Sequence, residues 1–389
     1  MSEKRFTDFL LAHAADDPAR LLLSADRWLG IDVRHAARLI EARRKIRDKL
    51  PSWHAVPELE YPDSLCVEQC SSETTACYKQ AFVPDGARLA DLTGGLGADC
   101  WFLSRKATEA HYCERNPVYC AAARHNFACL GDRRIAVHEG DGIDWLRAQD
   151  GRFDLLFIDP ARRDKAARRV YALSDCEPDL TAVKDLLLSR SGRVLAKISP
   201  MADLARTLQQ LPEIRELHVV AADGQVRELL LLLMEPGAAA DPRIVVADGP
   251  HRFTFRPEEE PAAEVRYADS VGTYLFQPSK ALLKAGAFRL VSARFGLDKL
   301  APSTHLYTGG RPVEGFPGKC LAVEEVLDWN GAVIRQLQKR FERIEMTALN
   351  FPLDTEALRR RTGIPAGGDR HLYATTLNDK KKILILCRP

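Results

Sequence analysis

Short apolar runs separated by turn residues and helical stretches organise residues 81–236. Leu89-Ala90 ends in Asp91, and Ala110-His111-Tyr112 runs on to Glu114. Ile135-Ala136-Val137, then 153–160, then 193–198 repeat the pattern, and 216–222 meets 226–234 at Asp223-Gly224. Runs this short, bounded by Gly, Pro and Asp, read as strands, and the apolar character of both faces of 153–160 marks a central parallel strand. A helix over 117–129 separates the second strand from the third, as crossover connections require. The two-residue Asp-Gly connection predicts a closing antiparallel hairpin. The expected fold is therefore α/β, with a seven-stranded, mostly parallel sheet.

Three further regions flank that sheet. Residues 1–80 carry apolar positions at helical spacing, in Leu21, Leu22, Trp28 and Leu29 and again in Ala36, Ala37, Leu39 and Ile40. They are expected to form an N-terminal helical domain, followed by the catalytic sheet over 81–236. Pro236 to Pro242 reads as a linker, residues 243–318 as a mixed α/β segment, and residues 319–389 as a small α+β module. In that module a helix is expected near 330–342, a strand near 344–349, a helix near 355–362 and a hairpin over 371–387 turning at Asn378-Asp379.

Composition excludes several classes. With 389 residues and 46% hydrophobic content the chain can bury two or three cores. Lys plus Arg number 56 and Asp plus Glu 54, so no global basic signature is present. No apolar run reaches membrane-spanning length, and the first residues read as an amphipathic helix start rather than a leader. Ten cysteines without a C-x-x-C pair point to reduced thiols in a cytoplasmic protein, with no zinc.

The chemistry concentrates after the first strand, where 91–99 reads D-L-T-G-G-L-G-A-D. The G-x-G-x-x-G dinucleotide spacing is not met, and no Gly-Lys-Ser/Thr follows for a P-loop. The turn resembles the S-adenosylmethionine (SAM) turn of class I methyltransferases, whose sheet is Rossmann-like. SAM carries a cationic sulfonium and an amino acid head but no phosphate, so acidic surroundings suit it. The resemblance implies that Asp91, Thr93, Gly94, Gly95, Gly97 and Asp99 shape the methionine pocket. Glu114, about twenty residues on, would hold the ribose hydroxyls. Asp141 in the Gly140-Asp141-Gly142 turn would accept from the adenine amino group, with Arg115 and Gly142 beside it.

Three more segments extend the likeness. Residues 72–80, SETTACYKQ, resemble the segment before the glycine turn in trimethylguanosine-synthase-like methyltransferases, through Ser72, Glu73 and Ala76, although the same pattern caps a helix. Residues 348–386 resemble the THUMP-like C-terminal domain of a bacterial methyltransferase family, and 274–308 its ferredoxin-like segment. THUMP domains proper bind RNA, so the resemblance implies an RNA substrate, structured rRNA or tRNA.

Asp159-Pro160 ends the fourth strand where amino-methyltransferases carry (D/N)-P-P-(Y/F/W), but Ala161 and Arg162 replace the second proline and the aromatic. Asp159 and Pro160 are expected to orient the acceptor, with Lys197 at the end of the fifth strand handling substrate or a proton. D-P-x-R also resembles 5-methyluridine methyltransferases, but Ser199 stands where their cysteine would be, and a hydroxyl is a poor nucleophile at neutral pH. Arg162, Arg163, Arg168 and Arg169 are expected to contact nucleic acid, and 359–361, Arg370 and 380–382 add a second basic cluster. The favoured reading is a SAM-dependent methyltransferase acting on a base nitrogen in RNA. A methyltransferase of a small molecule or protein, and a non-catalytic SAM- or RNA-binding protein, stay open as alternatives.

Overall fold

A computed structural model describes residues 3–162, 173–235 and 241–388. Arg163, Arg168 and Arg169 of the expected substrate contacts, and most of the expected linker, lie outside the described residues. The chain divides into two compact units, Met1–Glu216 with Glu228–Ala240, and Leu217–Arg227 with Asp241–Pro389.

The N-terminal helices start on side-chain caps. Asp17, Asp32, Asp63 and Ser72 each accept a backbone N–H of the following first turn. Helix Val33–Ile46 buries Ala36, Ala37, Leu39 and Ile40 as its spacing predicts. The preceding stripe is covered less completely: Leu21 is buried, whereas Leu22 and Leu29 are exposed.

The sheet strands are β1 (Ala87–Asp91), β2 (Ala107–Glu114), β3 (Ile135–Glu139), β4 (Leu155–Ile158), β5 (Arg193–Ile198), β6 (Ile214–Ala222), β7 (Gln225–Met234), β8 (Arg243–Asp248) and β9 (His251–Phe255). Their order is β9-β8-β6-β7-β5-β4-β1-β2-β3. The expected seven strands are all present, but the sheet holds nine, which corrects the seven-stranded expectation. The extra pair, β8 and β9, is an antiparallel hairpin running from Ile244↔Phe255 to Asp248↔His251. Ile244, Val245, Val246 and Ala247 are buried along β8.

β1 lies parallel to β2 and to β4, with Asp91 opposite Tyr112 on one side and Phe157 on the other. β5 pairs antiparallel with β7, which places Lys197 opposite Leu230. Asp223 and Gly224 both have positive φ, 53° and 67°, as a tight hairpin turn with the right twist demands. Chain order reverses between β1 and β4, and ligands of open parallel sheets bind in the crevice at such a point, beyond the strands' carboxyl ends.

The C-terminal region builds a second sheet from β10 (Tyr274–Pro278), β11 (Asp298–Ala301), β12 (Thr304–Gly309), β13 (Gly318–Asp328), β14 (Glu345–Leu349), β15 (His371–Thr376) and β16 (Lys382–Arg388). The order is β11-β12-β10-β13-β16-β15-β14. Helices Gly331–Arg340 and Thr355–Thr362 accompany it. β16 is apolar from Ile383 to Cys387 because both faces are covered there. Ile383 and Ile385 pack with Leu275, Leu306 and Tyr373, while Leu384 and Leu386 pack with Leu337, Met346 and Leu358. The hairpin between β15 and β16 closes over 377–381, and Lys380 takes the positive φ of 67°.

Packing at the crevice is tight. A Cβ on Gly142 would lie 2.1 Å from the Leu92 carbonyl oxygen. Gly142→Ala is therefore expected to destabilise the chain by about 1–3 kcal/mol, seen as a lower urea midpoint with an unchanged slope.

Candidate active site

The glycine turn follows directly from β1. Asp91 Oδ1 accepts the Thr93 amide at 3.0 Å, which tightens the first bend. Gly94 donates to the Cys113 carbonyl at 2.8 Å, and Gly97 donates to the Gly94 carbonyl at 2.9 Å. A Cβ on Gly94 would sit 2.2 Å from the Tyr112 ring, and Gly97 takes φ 90° to open helix Ala98–Ser104. The Tyr112 hydroxyl donates to the Gly95 carbonyl, so β2 braces the turn from beneath. Gly95, at φ 56°, has no close neighbour at its Cβ position, which leaves this stretch of backbone open.

Glu114 closes the adjacent side. Its Oε2 accepts the Gly95 amide at 2.9 Å and its Oε1 the Asn116 amide at 2.8 Å, so both oxygens are oriented by backbone. Asp141 caps helix Gly142–Arg147, with Oδ1 accepting from Ile143 and Asp144 at 2.7 and 2.9 Å. Its Oδ2 takes two donors from Arg115, which also reaches Glu177 at 2.7 Å. Burial raises the Asp141 pKa, but the helix amides and Arg115 outweigh it and hold the carboxylate below its ordinary range.

Asp159 stands at the end of β4. Its amide donates to Thr93 Oγ1 at 2.7 Å, tying the Asp-Pro turn to the glycine turn. Its Oδ2 accepts from Lys197 Nζ at 2.5 Å, so the structure brings together these two expected catalytic residues. Burial works against the Lys197 charge, but Asp159, Asp99 and Glu228 overcome it and raise its pKa. Beyond Pro160, Ala161-Arg162 pairs in an antiparallel ladder with Cys176-Glu177.

Asp99 faces the interior. Its Oδ1 accepts from Lys79 Nζ at 2.8 Å and its Oδ2 from Ser71 Oγ at 2.7 Å. Burial opposes its charge, and the Lys79 and Lys197 ammonium groups more than compensate, which lowers its pKa. Ser72 caps helix Glu73–Lys79, and Glu73 accepts from the amide and hydroxyl of Ser52, 21 positions earlier in the chain. Sequence reasoning missed Lys79, Ser71 and Glu228. The available signal was Glu228 itself, a carboxylate set in the apolar run 225–234, which demands a buried partner.

The residues fit SAM as a ligand. Asp91, Glu114, Asp141 and Asp159 gather at the carboxyl ends of neighbouring strands, and the open backbone at Gly95 lies among them. That donor set suits a sulfonium and an ammonium and repels a phosphate. No group of His, Cys, Asp and Glu among the described residues could hold a metal ion. None of the ten cysteines forms a disulfide among the described residues; Cys100, Cys113 and Cys120 are buried and Cys129 is exposed.

Among the described residues no cation is paired with Asp91. Burial, with Asp99, Asp159 and Glu114 nearby, pushes its pKa up to about 8. The unfolded chain releases this proton near 3.8 and the folded chain only near 8, so folding binds a proton between those values. Stability from this group therefore falls as pH rises through that window. Asp91→Asn removes the dependence. Its melting temperature, relative to the parent, is expected to rise between about pH 5 and about pH 8 and then level off.

Residues 274–317 match the ferredoxin-like domain family and residues 318–389 the THUMP domain-like family. Two Mycobacterium tuberculosis proteins, of strains CDC 1551 and H37Rv, bear the name uncharacterized S-adenosylmethionine-dependent methyltransferase. Each is 29% identical over 274 residues, 70% of this chain and 72% of its own. Ribosomal RNA large subunit methyltransferase K/L of Pseudomonas aeruginosa is 35% identical over 75 residues, 19% of this chain and 10% of that protein. A crystal structure from Porphyromonas gingivalis W83, described as a methyltransferase, is 37% identical with a TM-score of 0.87, covering 99% of this chain and 97% of that one. The likeness runs the length of both proteins, and the chain belongs to the S-adenosylmethionine-dependent methyltransferases, with a ferredoxin-like segment and a THUMP-like module at its C-terminal end.

Proposed function

We propose that this enzyme methylates a base nitrogen in RNA, and that Asp159 orients the acceptor. The observation that carries the reading is the Asp159 carboxylate, gripped on Oδ2 by Lys197 and backed by Thr93, at the crevice beside the glycine turn. RNA as substrate is supported by the THUMP-like module and by the partial likeness to a ribosomal RNA methyltransferase. In the C-terminal module Arg370 and Lys381 pair with Glu324 and Asp328. The exposed Arg360, Arg361, Lys380 and Lys382 are then the basic residues offered to phosphates. We assign 81–236 as the catalytic region, with 1–80, 243–318 and 319–389 as the flanking domains.

SAM supplies a methyl group already activated on a sulfonium. The protein's task is alignment and proton handling. Asp91, Thr93, Gly94, Gly95, Gly97 and Asp99 would form or support the methionine end of the site, and Glu114 would hold the ribose hydroxyls. All acceptor positions of Asp141 are taken by the helix amides and Arg115, so an adenine amino group there replaces one Arg115 donor. Asp159 accepts a hydrogen bond from the acceptor amine, which turns the nitrogen lone pair toward the methyl. Arg162 and Arg163 follow Asp159-Pro160 in the chain and are assigned to the nucleic acid.

Two variants separate these roles. Glu114→Ala is expected to weaken SAM binding about tenfold to a hundredfold, the loss of charged hydrogen bonds at roughly 1.5–3 kcal/mol, measured by calorimetry; unaltered affinity removes Glu114 from the ribose site. Asp159→Ala is expected to keep SAM affinity and abolish transfer of radiolabelled methyl to RNA from a strain lacking the protein. Nucleoside mass spectrometry of the product identifies the base and atom. Absence of label in RNA with the parent enzyme defeats the RNA reading, and label on protein or small molecules supports the alternative substrates.

A further inference from the structure

Behind Asp159 runs a row of alternating charges. Lys79, with no solvent exposure, donates to Asp99 Oδ1 at 2.8 Å, to Ser71 Oγ at 2.8 Å and to Glu228 Oε2 at 2.9 Å. Ser71 donates to Asp99 Oδ2 at 2.7 Å. The same Oδ2 lies 3.9 Å from Lys197 Nζ, which sits on Asp159 at 2.5 Å. Two ammonium groups thus serve three carboxylates in an interior where Asp99 and Glu228 are almost fully covered.

We propose that Lys79 is a positioning residue for methyl transfer: by occupying Asp99 it keeps the Lys197 ammonium on Asp159. The proposal rests on the reading that Asp159 orients the acceptor. Lys197 has two carboxylates within 4 Å, and its flexible stem lets the ammonium move between them. Asp99 does not compete while Lys79 and Ser71 satisfy its two oxygens. Without Lys79, Asp99 is a buried anion whose nearest cation is Lys197. An unpaired buried charge is costly enough to draw that ammonium inward.

Glu228 does not take over this competition. Among the described residues its Oε1 has no hydrogen-bond partner, and burial raises its pKa, so loss of Lys79 is met there by taking up a proton. Withdrawal of Lys197 leaves Asp159 without the bond that fixes its carboxylate plane. Displacements on the order of 1 Å at a reacting centre can cost about a hundredfold in rate.

The test uses the full chain, tritiated SAM and RNA from a strain lacking the protein, with crystal structures of each variant. Lys79→Met is expected to lower the rate at saturating SAM and RNA about tenfold to a hundredfold, with SAM affinity within about threefold of the parent. Lys79→Met/Asp99→Asn removes the competing anion and restores the Lys197–Asp159 bond that the single variant opens. A merely structural Lys79 leaves the Lys197–Asp159 bond open in the double variant, or intact in Lys79→Met; either result overturns the proposal. If Lys79→Met does not fold, Ser71→Ala, which frees Asp99 Oδ2, is expected to open the same bond and to be rescued by Asp99→Asn, and an unopened bond is again fatal. If the parent enzyme labels no RNA, the function reading fails on its own, and the bond in the crystal structures decides the role of Lys79.

Discussion

Negative charges gathered where water is scarce must be offset or they oppose the fold that gathers them. The parallel sheet delivers Asp91, Glu114 and Asp159 to the ends of three strands, and Asp141 to the turn after a fourth. Each is compensated differently. Asp159 has Lys197, Asp141 has Arg115 and the start of a helix, and Glu114 has two backbone amides. Asp91 has only the Thr93 groups and responds by keeping its proton to about pH 8. The outcome is a crevice lined by carboxylates, suited to a sulfonium and an ammonium rather than to a phosphate.

Backbone closeness is the second constraint. The glycine turn is pressed against β2, and the ring of Tyr112 fills the space a Gly94 side chain would need. The Asp141 loop approaches the Leu92 carbonyl through Gly142 in the same manner. These contacts lock three neighbouring strand ends to one another, so carboxylates far apart in the chain hold fixed relative positions. Side chains at either glycine would force the turns apart before any ligand arrived.

The C-terminal sheet follows a different rule. β16 carries apolar residues on both faces because helices Gly331–Arg340 and Thr355–Thr362 belong to the core on one side and the ferredoxin-like strands to the core on the other. The matched ferredoxin-like and THUMP-like families meet at residue 318, yet β10 and β13 pair across that point in one sheet. Several basic residues of the module bond to its own carboxylates, which reduces the positive surface suggested by counting arginines and lysines.

The sequence by itself determined the strands around the crevice, the Asp-Gly hairpin and the carboxylates that close the first four strands, because local apolar runs and turn residues specify these directly. The Asp159–Lys197 site was legible too, since both residues end adjacent strands. Tertiary structure alone decided the two added strands, the capture of Asp141 by Arg115, and the engagement of Asp99 by Lys79. These depend on pairing between distant segments: Lys79 and Glu228 are 149 positions apart and meet only when a helix and a sheet strand bury them together. A pattern of neighbours in the chain records which residues can be buried. It does not record which buried charge finds which partner.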